Sequence, residues 1–415
     1  VIVAGLSELR IAIIGSGPAG LAAGAFLARA GHRVTVFERF PKPAPVGAGL
    51  MLQETGLAVL AALGAAPRIC HLGHRIERLT GRDAASGHIV LDVKLRGQKG
   101  TDRHALAVTR TALFSVLREA ALAAGIVERH GMDVRDIAVD REGARVVTSD
   151  DSHGVFDLVV DASGWTSRLL GHAAAPAKTR ALNWGALWTT VPLNASDPFT
   201  PHVLNQRYRR ADMMAGVLPI GRPSEDEPAR AALFWNLRTR DAPVWREQQT
   251  LEDWRGWFAG FWPETRPLVE RVEAKEDLTV AQYVHRTLPK PYGAKIVFIG
   301  DAFHATSPQL GQGCNMGLLD AAALAHAVAT SADIETALLA YAALRKSHVR
   351  LYQAMSAVFT PMYQSSSRIL PFLRDRGGPV MSLPAMNALA ARAIAGRIFD
   401  PLPALGLADG VPGVE

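Results

Sequence analysis

The residues best equipped for chemistry in this chain are glycines and carboxylates gathered at two strand–helix joints far apart in sequence. The first joint is Gly15-Ser16-Gly17-Pro18-Ala19-Gly20, directly after the apolar run Arg10-Ile11-Ala12-Ile13-Ile14 and before the alanine-rich stretch LAAGAFLARAG. In such a joint Gly15 makes the tight turn, Gly17 lets the backbone approach a pyrophosphate, and Gly20 allows close helix–strand packing. The helix starting at Pro18 and Ala19 directs its dipole at the bound anion. Gly31 stops that helix, and a second strand, Arg33-Val34-Thr35-Val36-Phe37, ends in Glu38 and Arg39. An acid about 20 residues beyond the glycines is placed to accept hydrogen bonds from ribose hydroxyls. It also disfavours a 2′-phosphate there, which points to FAD or NAD rather than NADP at this joint.

The second joint begins where Lys295-Ile296-Val297-Phe298-Ile299 stops at Gly300-Asp301. A loop with His304, Pro308, Gly311 and Gly313 follows, and a helix is expected from about Cys314 and Asn315. NAD needs one phosphate-binding joint, whereas FAD is longer, and its ribityl chain and isoalloxazine need a second anchor. Asp301 can accept from ribityl hydroxyls. The helix opened by Gly311-Gln312-Gly313 offers free N–H groups and a dipole to negative charge on a reduced flavin. FAD is therefore the expected cofactor. His304 and Asp320 read as structural.

Bulk properties narrow the remaining classes. Apolar residues make up 48% and charged ones 20%, as in an ordinary globular enzyme rather than a disordered chain. The formal net charge is +6, with scattered arginines and no basic patch, so no nucleic-acid partner is expected. Cys70 and Cys314 are the only cysteines and have no ligand spacing, which argues against a disulfide framework and a structural zinc site, leaves no metal expected, and suits a reducing cytosol. VIVAGLSELR lacks a signal-peptide pattern, and no apolar run reaches the roughly 20 residues of a membrane span. A cytoplasmic protein, monomer or homodimer, is expected.

These motifs resemble the class A flavoprotein monooxygenases, the para-hydroxybenzoate hydroxylase-like group. The resemblance extends over most of the chain. Gly15–Gly20 matches the glycine fingerprint, and Gly300-Asp301-Ala302-Phe303-His304 with Pro308, Gly311-Gln312-Gly313 and Asn315 matches GDAxH...P..GQG.N. Gly47-Ala48-Gly49-Leu50 resembles the loop lying along the flavin, and Arg110 resembles a helix arginine that contacts FAD. The resemblance implies an α/β protein with a Rossmann-like FAD-binding domain (8–75, 98–180 and 286–330). A mixed or antiparallel β-sheet substrate domain (76–97 and 181–285) and a C-terminal helical segment (331–415) complete it. It also implies an oxidoreductase in which NADH or NADPH reduces FAD, and O2 then forms a flavin C4a-hydroperoxide that hydroxylates a small aromatic or heteroaromatic substrate. The implied cofactor contacts are Gly15, Gly17, Pro18, Ala19, Gly20, Glu38, Arg39, Gly49, Arg110, Asp301, Pro308, Gly311, Gly313, Cys314 and Asn315. Pro308 is expected near the flavin ring.

Strand-like, aromatic-rich segments between Ala181 and Tyr283 supply the expected pocket residues: Trp188, Met214, Leu218 and Trp235, with Pro308. Trp184, Met213, Pro219 and Phe234 share those strands, and alternation sends about half of such residues to the other face. No general base stands out; His202, Tyr208, Tyr283 and His285 are candidates by region. One stretch departs from the family: Asp161-Ala162-Ser163-Gly164 stands where GADG is usual. That version is closer to flavin-dependent halogenases and some FAD reductases. A halogenase, another FAD oxidoreductase (a reductase, oxidase or Baeyer–Villiger-type oxygenase) and a non-enzymatic binding protein of related fold are the alternatives.

Overall fold

The computed structural model describes residues 6–42, 47–95, 104–149, 151–381 and 383–407. The parts of the expected boundaries that fall on 96–103, and the ends of the chain, lie outside the described residues. A six-stranded sheet has the order Tyr292–Gly293, Ile296–Phe298, Leu158–Asp161, Arg10–Ile14, Arg33–Glu38, Val127–His130. All pairings are parallel except that of the edge pair Tyr292–Gly293 with Ile296–Phe298. Ile11, Ala12, Ile13, Val159, Val160, Ile296 and Val297 are fully buried, as expected for parallel strands covered on both faces.

This register explains why joints so distant in sequence meet. Ile14 pairs with Asp161, and Asp161 pairs with Phe298, so the turns after these strands leave the same edge of the sheet side by side. That carboxyl edge is where open parallel sheets bind ligands. The helices Pro18–Arg29 and Gly313–Thr330 pack against each other through residues with almost no side chain. A Cβ added to Gly317 would lie 3.2 Å from the Ala19 Cβ and 3.4 Å from the Gly300 Cα. Gly317→Val is therefore expected to overpack this seam and cost about 1–3 kcal/mol, lowering Tm, with Gly317→Ala the milder change. An unchanged Tm in thermal melts of Gly317→Val would show that the seam yields.

A seven-stranded sheet forms the second layer, in the order Thr279–Ala281, Trp184–Pro192, Arg230–Arg238, Met213–Gly221, Val203–Arg209, Arg78–Asp83, Ile89–Lys94. It is antiparallel except where Val203–Arg209 runs parallel to Arg78–Asp83. The hairpin Arg78–Asp83 with Ile89–Lys94 is thus an extension of this sheet. One face is covered by the helix Leu251–Phe261, whose start is fixed by a capping box between Thr250 and Asp253. Gly49–Leu52, Ala105–Thr109 and His74–Ile76 make a small sheet joining the two layers, and Asp136–Val139, Ala144–Val147 and Ser152–Phe156 make another. The helices Ile334–Tyr363, Ile369–Met381 and Pro384–Ile394 follow. Among the described residues no helix is long and apolar enough to cross a membrane.

Candidate active site

At the first joint Gly15 has φ 103°, and a Cβ there would lie 2.7 Å from the Ala162 carbonyl oxygen. A Cβ on Gly20 would lie 2.0 Å from the Gly15 carbonyl oxygen. Gly17 is different: no atom lies within 4 Å of the Cβ position, and its φ of −69° suits any residue. Nothing in the protein itself demands glycine there; its missing side chain leaves the space before it open. The first intrahelical bond runs from the Leu21 N–H to the Gly17 carbonyl, which places the Ala19 and Gly20 N–H groups ahead of the ladder. The Glu38 carboxylate accepts from the Ser16 N–H at 3.0 Å, the Ser16 hydroxyl at 2.7 Å and the Phe40 N–H at 3.0 Å. It holds the glycine loop and keeps acceptor capacity for a ribose. Arg39 is exposed, with its guanidinium 4.7 Å from the Phe40 ring centroid.

The second joint rests on a buried ionic network. Gly300 has φ 60° and ψ −140°, a conformation nearly confined to glycine, and its N–H donates to Asp320 Oδ2 at 2.8 Å. His304 Nε2 lies 2.7 Å from the same oxygen, and Arg345 Nε donates to Asp320 Oδ1 at 2.7 Å. All three side chains are fully buried. Burial alone would push the Asp320 carboxyl up; His304 and Arg345 outweigh it and hold the group below its ordinary range. Asp301, next to Gly300, is exposed and free to meet a ligand, as is Pro308.

The helix Gly313–Thr330 makes its first bond from the Met316 N–H to the Gln312 carbonyl, so the N–H groups of Gly313, Cys314 and Asn315 precede the ladder. The Asn315 side chain is buried and committed to protein: Oδ1 accepts from the Gln53 N–H at 2.8 Å, and Nδ2 donates to the carbonyls of Met51 and Gly311 at 3.1 and 3.0 Å. It positions the Gly311 loop against the Gly49–Leu52 strand, and only its backbone is available to a cofactor. Gly49 is also held by protein contacts, since a Cβ there would lie 2.8 Å from Ile220 Cγ2. Its glycine is explained by packing rather than by a ligand.

Arg110 opens the helix Arg110–Ala123, and a Cβ on Gly47 would lie 2.9 Å from its Nε. Its charge is felt at two groups from distant parts of the chain. Burial pushes the Cys314 thiol up to about 12, Arg110 opposing and Asp301 reinforcing the rise. Burial likewise pushes Tyr283 up to about 12, against a hydrogen bond from Trp188 and the Arg110 charge. Arg110 is thus within electrostatic reach of both Cys314 and Tyr283, and Asp301 of Cys314, on the side where the flavin ring end is expected.

The roof over this region comes from one face of the seven-stranded sheet. Met214, Leu218 and Phe234 are buried on that face, with Trp188 packed beside them and Ala48 and Met51 beneath. The Trp188 and Phe234 rings are 4.8 Å apart, and Trp188 Nε1 donates to the Tyr283 hydroxyl at 2.9 Å. Trp235, expected in the pocket, is on the opposite face, packed among Trp254, Phe258 and Phe261 of the covering helix. Strand alternation decides this: Phe234 and Trp235 are adjacent and must point apart.

The departing motif folds on itself. Asp161 is fully buried and accepts from the Ser163 N–H at 3.0 Å, the Ser163 hydroxyl at 2.5 Å and the Ser167 hydroxyl at 2.5 Å. Burial pushes its carboxyl up despite these bonds and the nearby Arg286 charge. Arg286, which the sequence did not single out, links this turn to the second joint. It donates to the Trp165 carbonyl at 2.7 Å, the Asp301 carbonyl at 3.5 Å and Thr179 Oγ1 at 3.1 Å. Its only sequence signal is a lone arginine in the short strand Val284–Thr287.

Two anion-receiving helix starts, a ribose-facing acid, an exposed aspartate and an open lane before Gly17 fit FAD. Fold and site define an FAD-dependent monooxygenase of the para-hydroxybenzoate hydroxylase-like group. The chain belongs to the FAD binding domain family, whose model matches residues 8–354. It is 29% identical to the kynurenine 3-monooxygenase of Salinispora arenicola over 371 residues, covering 84% of this chain and 78% of the relative. A solved 2-methyl-3-hydroxypyridine-5-carboxylic acid oxygenase is 20% identical with a TM-score of 0.77, covering 96% of this chain and 98% of that one. Klebsiella pneumoniae HpxO, solved with FAD and uric acid, is 19% identical with a TM-score of 0.77, covering 93% and 97%.

Proposed function

We propose that this enzyme hydroxylates a small aromatic or heteroaromatic compound, using O2 and NADH or NADPH. The observation carrying this reading is the pairing of two dinucleotide-gripping turns on one sheet edge with an apolar aromatic face over the region they share. Kynurenine, pyridine-carboxylate and urate are the molecules named for the relatives, and all contain a planar ring system with nitrogen on or in it. A cytosolic setting, which supplies the reduced dinucleotide, fits the two free cysteines.

FAD supplies the redox and oxygen-activating chemistry when bound. The chain's own residues hold and shield it. Gly17, Ala19 and Gly20 receive the pyrophosphate, Glu38 the adenosine ribose, and Asp301 the ribityl hydroxyls. The N–H groups of Gly313, Cys314 and Asn315, with Arg110 nearby, would face the ring end of the cofactor and favour negative charge there. Trp188, Met214, Leu218 and Phe234 would form the apolar cover that keeps water from its ring.

Tyr283 acts as a donor to the substrate. Its hydroxyl oxygen already accepts from Trp188, which leaves its own proton to give away, and it stays protonated near neutral pH. Tyr283→Phe is expected to raise KM for the aromatic substrate about tenfold with FAD retained, as befits one lost hydrogen bond to a polar substrate group. Steady-state kinetics checks this, and an unchanged KM removes Tyr283 from the pocket.

The decisive experiment screens phenols, aminobenzoates and nitrogen heteroaromatics for stimulated NAD(P)H consumption under labelled dioxygen. The purified protein should be yellow, and one class of compound should gain a labelled oxygen by mass. Chloride-dependent products would instead identify a halogenase, and a colourless folded protein would identify a binding module.

A further inference from the structure

The two-stranded ribbon formed by Lys178–Ala181 and Val284–Thr287 stands outside both large sheets. Its register pairs Lys178 with Thr287 and Arg180 with His285, so these four side chains share one face. That face lines a cleft of about 610 Å³ together with Ala177, Thr179 and Ala357. Lys178 and Arg180 are exposed, and no carboxylate pairs with either among the described residues. His285 Nε2 is buried without a hydrogen-bond partner. Two unpaired cations and an unused imidazole in a concave site make a receptor for an anion.

The ribbon's inner face ties the cleft to the cofactor region. Arg286, between His285 and Thr287, is the buried residue that bonds the carbonyls of Asp301 and Trp165. A ligand anchored by its phosphates on the outer face thus lies one strand's thickness from the joint that holds the ribityl chain. Because Ser163, in the departing motif, gives its hydroxyl proton to Asp161, it offers neither a carboxylate nor a free O–H donor to an incoming phosphate. Recognition must come from elsewhere on this side.

We propose that this cleft is where the reduced nicotinamide dinucleotide docks, its diphosphate held by Lys178, Arg180 and His285 while its nicotinamide end reaches the flavin. The proposal rests on the monooxygenase reading. The diphosphate is common to NADH and NADPH, so the cleft serves both unless it reads the 2′-phosphate.

The test compares the FAD-loaded wild type with Arg180→Glu and with Lys178→Glu/Arg180→Glu. Each protein is first reduced with dithionite under anaerobic conditions, then titrated with NADH and with NADPH, following quenching of dinucleotide fluorescence. The expected result is a Kd raised about tenfold or more for both dinucleotides, with a weaker salt dependence than wild type. Flavin content and the Kd for the aromatic substrate should stay as in wild type. Unchanged Kd values for both dinucleotides overturn the proposal, and a rise for NADPH alone overturns the diphosphate assignment. Should the double charge reversal fail to fold, Arg180→Gln, on an exposed strand position, is expected to raise both Kd values about threefold. A wild type that holds no flavin, or whose dinucleotide consumption no aromatic compound stimulates, would instead refute the monooxygenase reading.

Discussion

Gly17→Val gives a folded, thermally stable and colourless protein. The valine Cβ meets no protein atom within 4 Å and the backbone needs no unusual angle, so the fold loses little beyond the preference for glycine over valine at an N-cap. The same side chain enters the lane through which a pyrophosphate must approach the Ala19 and Gly20 N–H groups. FAD affinity is expected to fall at least 100-fold, equivalent to about 2.7 kcal/mol. Gly20→Val is the contrast, because its side chain collides with the Gly15 carbonyl inside the protein and should destabilise the fold itself. Flavin absorbance per polypeptide, read beside a thermal melt, separates the two. A yellow Gly17→Val protein with stoichiometric flavin would show that the pyrophosphate lies elsewhere.

Asp320→Ala has the largest expected effect on stability. It leaves the Arg345 guanidinium buried without its carboxylate, strips His304 Nε2 of its partner and frees the Gly300 N–H. Breaking a buried ion pair by removing one member typically costs about 3–5 kcal/mol. Flavin should be lost as well, because Gly300 sets the direction of Asp301. Denaturant midpoints and flavin content check both parts; a shift below about 1 kcal/mol would mean the network relaxes or hydrates. The wild-type pH dependence follows from the same network. With Asp320 held below its ordinary range, its contribution is complete at neutral pH and fades only below about pH 4. His348 acts earlier. Burial first, then the Arg345 charge, depress it from 6.5 to about 3, so it is neutral in the fold and protonated once unfolded across that interval. Stability should therefore decline as pH falls below 6.5, and His348→Gln should flatten that slope in pH-dependent melts.

The glycine joints were legible in the sequence because a tight turn, a close approach and a buried parallel strand each demand particular residue types at fixed spacing. Asp161 was visible as a departure, but not its use. Whether a buried carboxylate caps its own turn depends on Ser163 and Ser167 folding back, which spacing alone does not fix. The roof was legible as aromatic strands, yet its facing was not, because a strand's phase depends on which layer covers which side. The helix Leu251–Phe261 claims Trp235, and that phase follows from tertiary packing. Arg286 was missed since one arginine in a strand carries no pattern. Asn315 and Gly49 lie in genuine motif positions, but their side-chain or steric role is spent on protein neighbours.

The near absence of side chains where Ala19, Gly300 and Gly317 meet bears on how the holoenzyme is made. Backbone resting on backbone leaves the empty protein few ways to sag, so the distance between the two grips is set before any coenzyme arrives. Stripped polypeptide should accordingly reload its coenzyme on simple mixing, at a rate governed by diffusion and threading rather than by refolding.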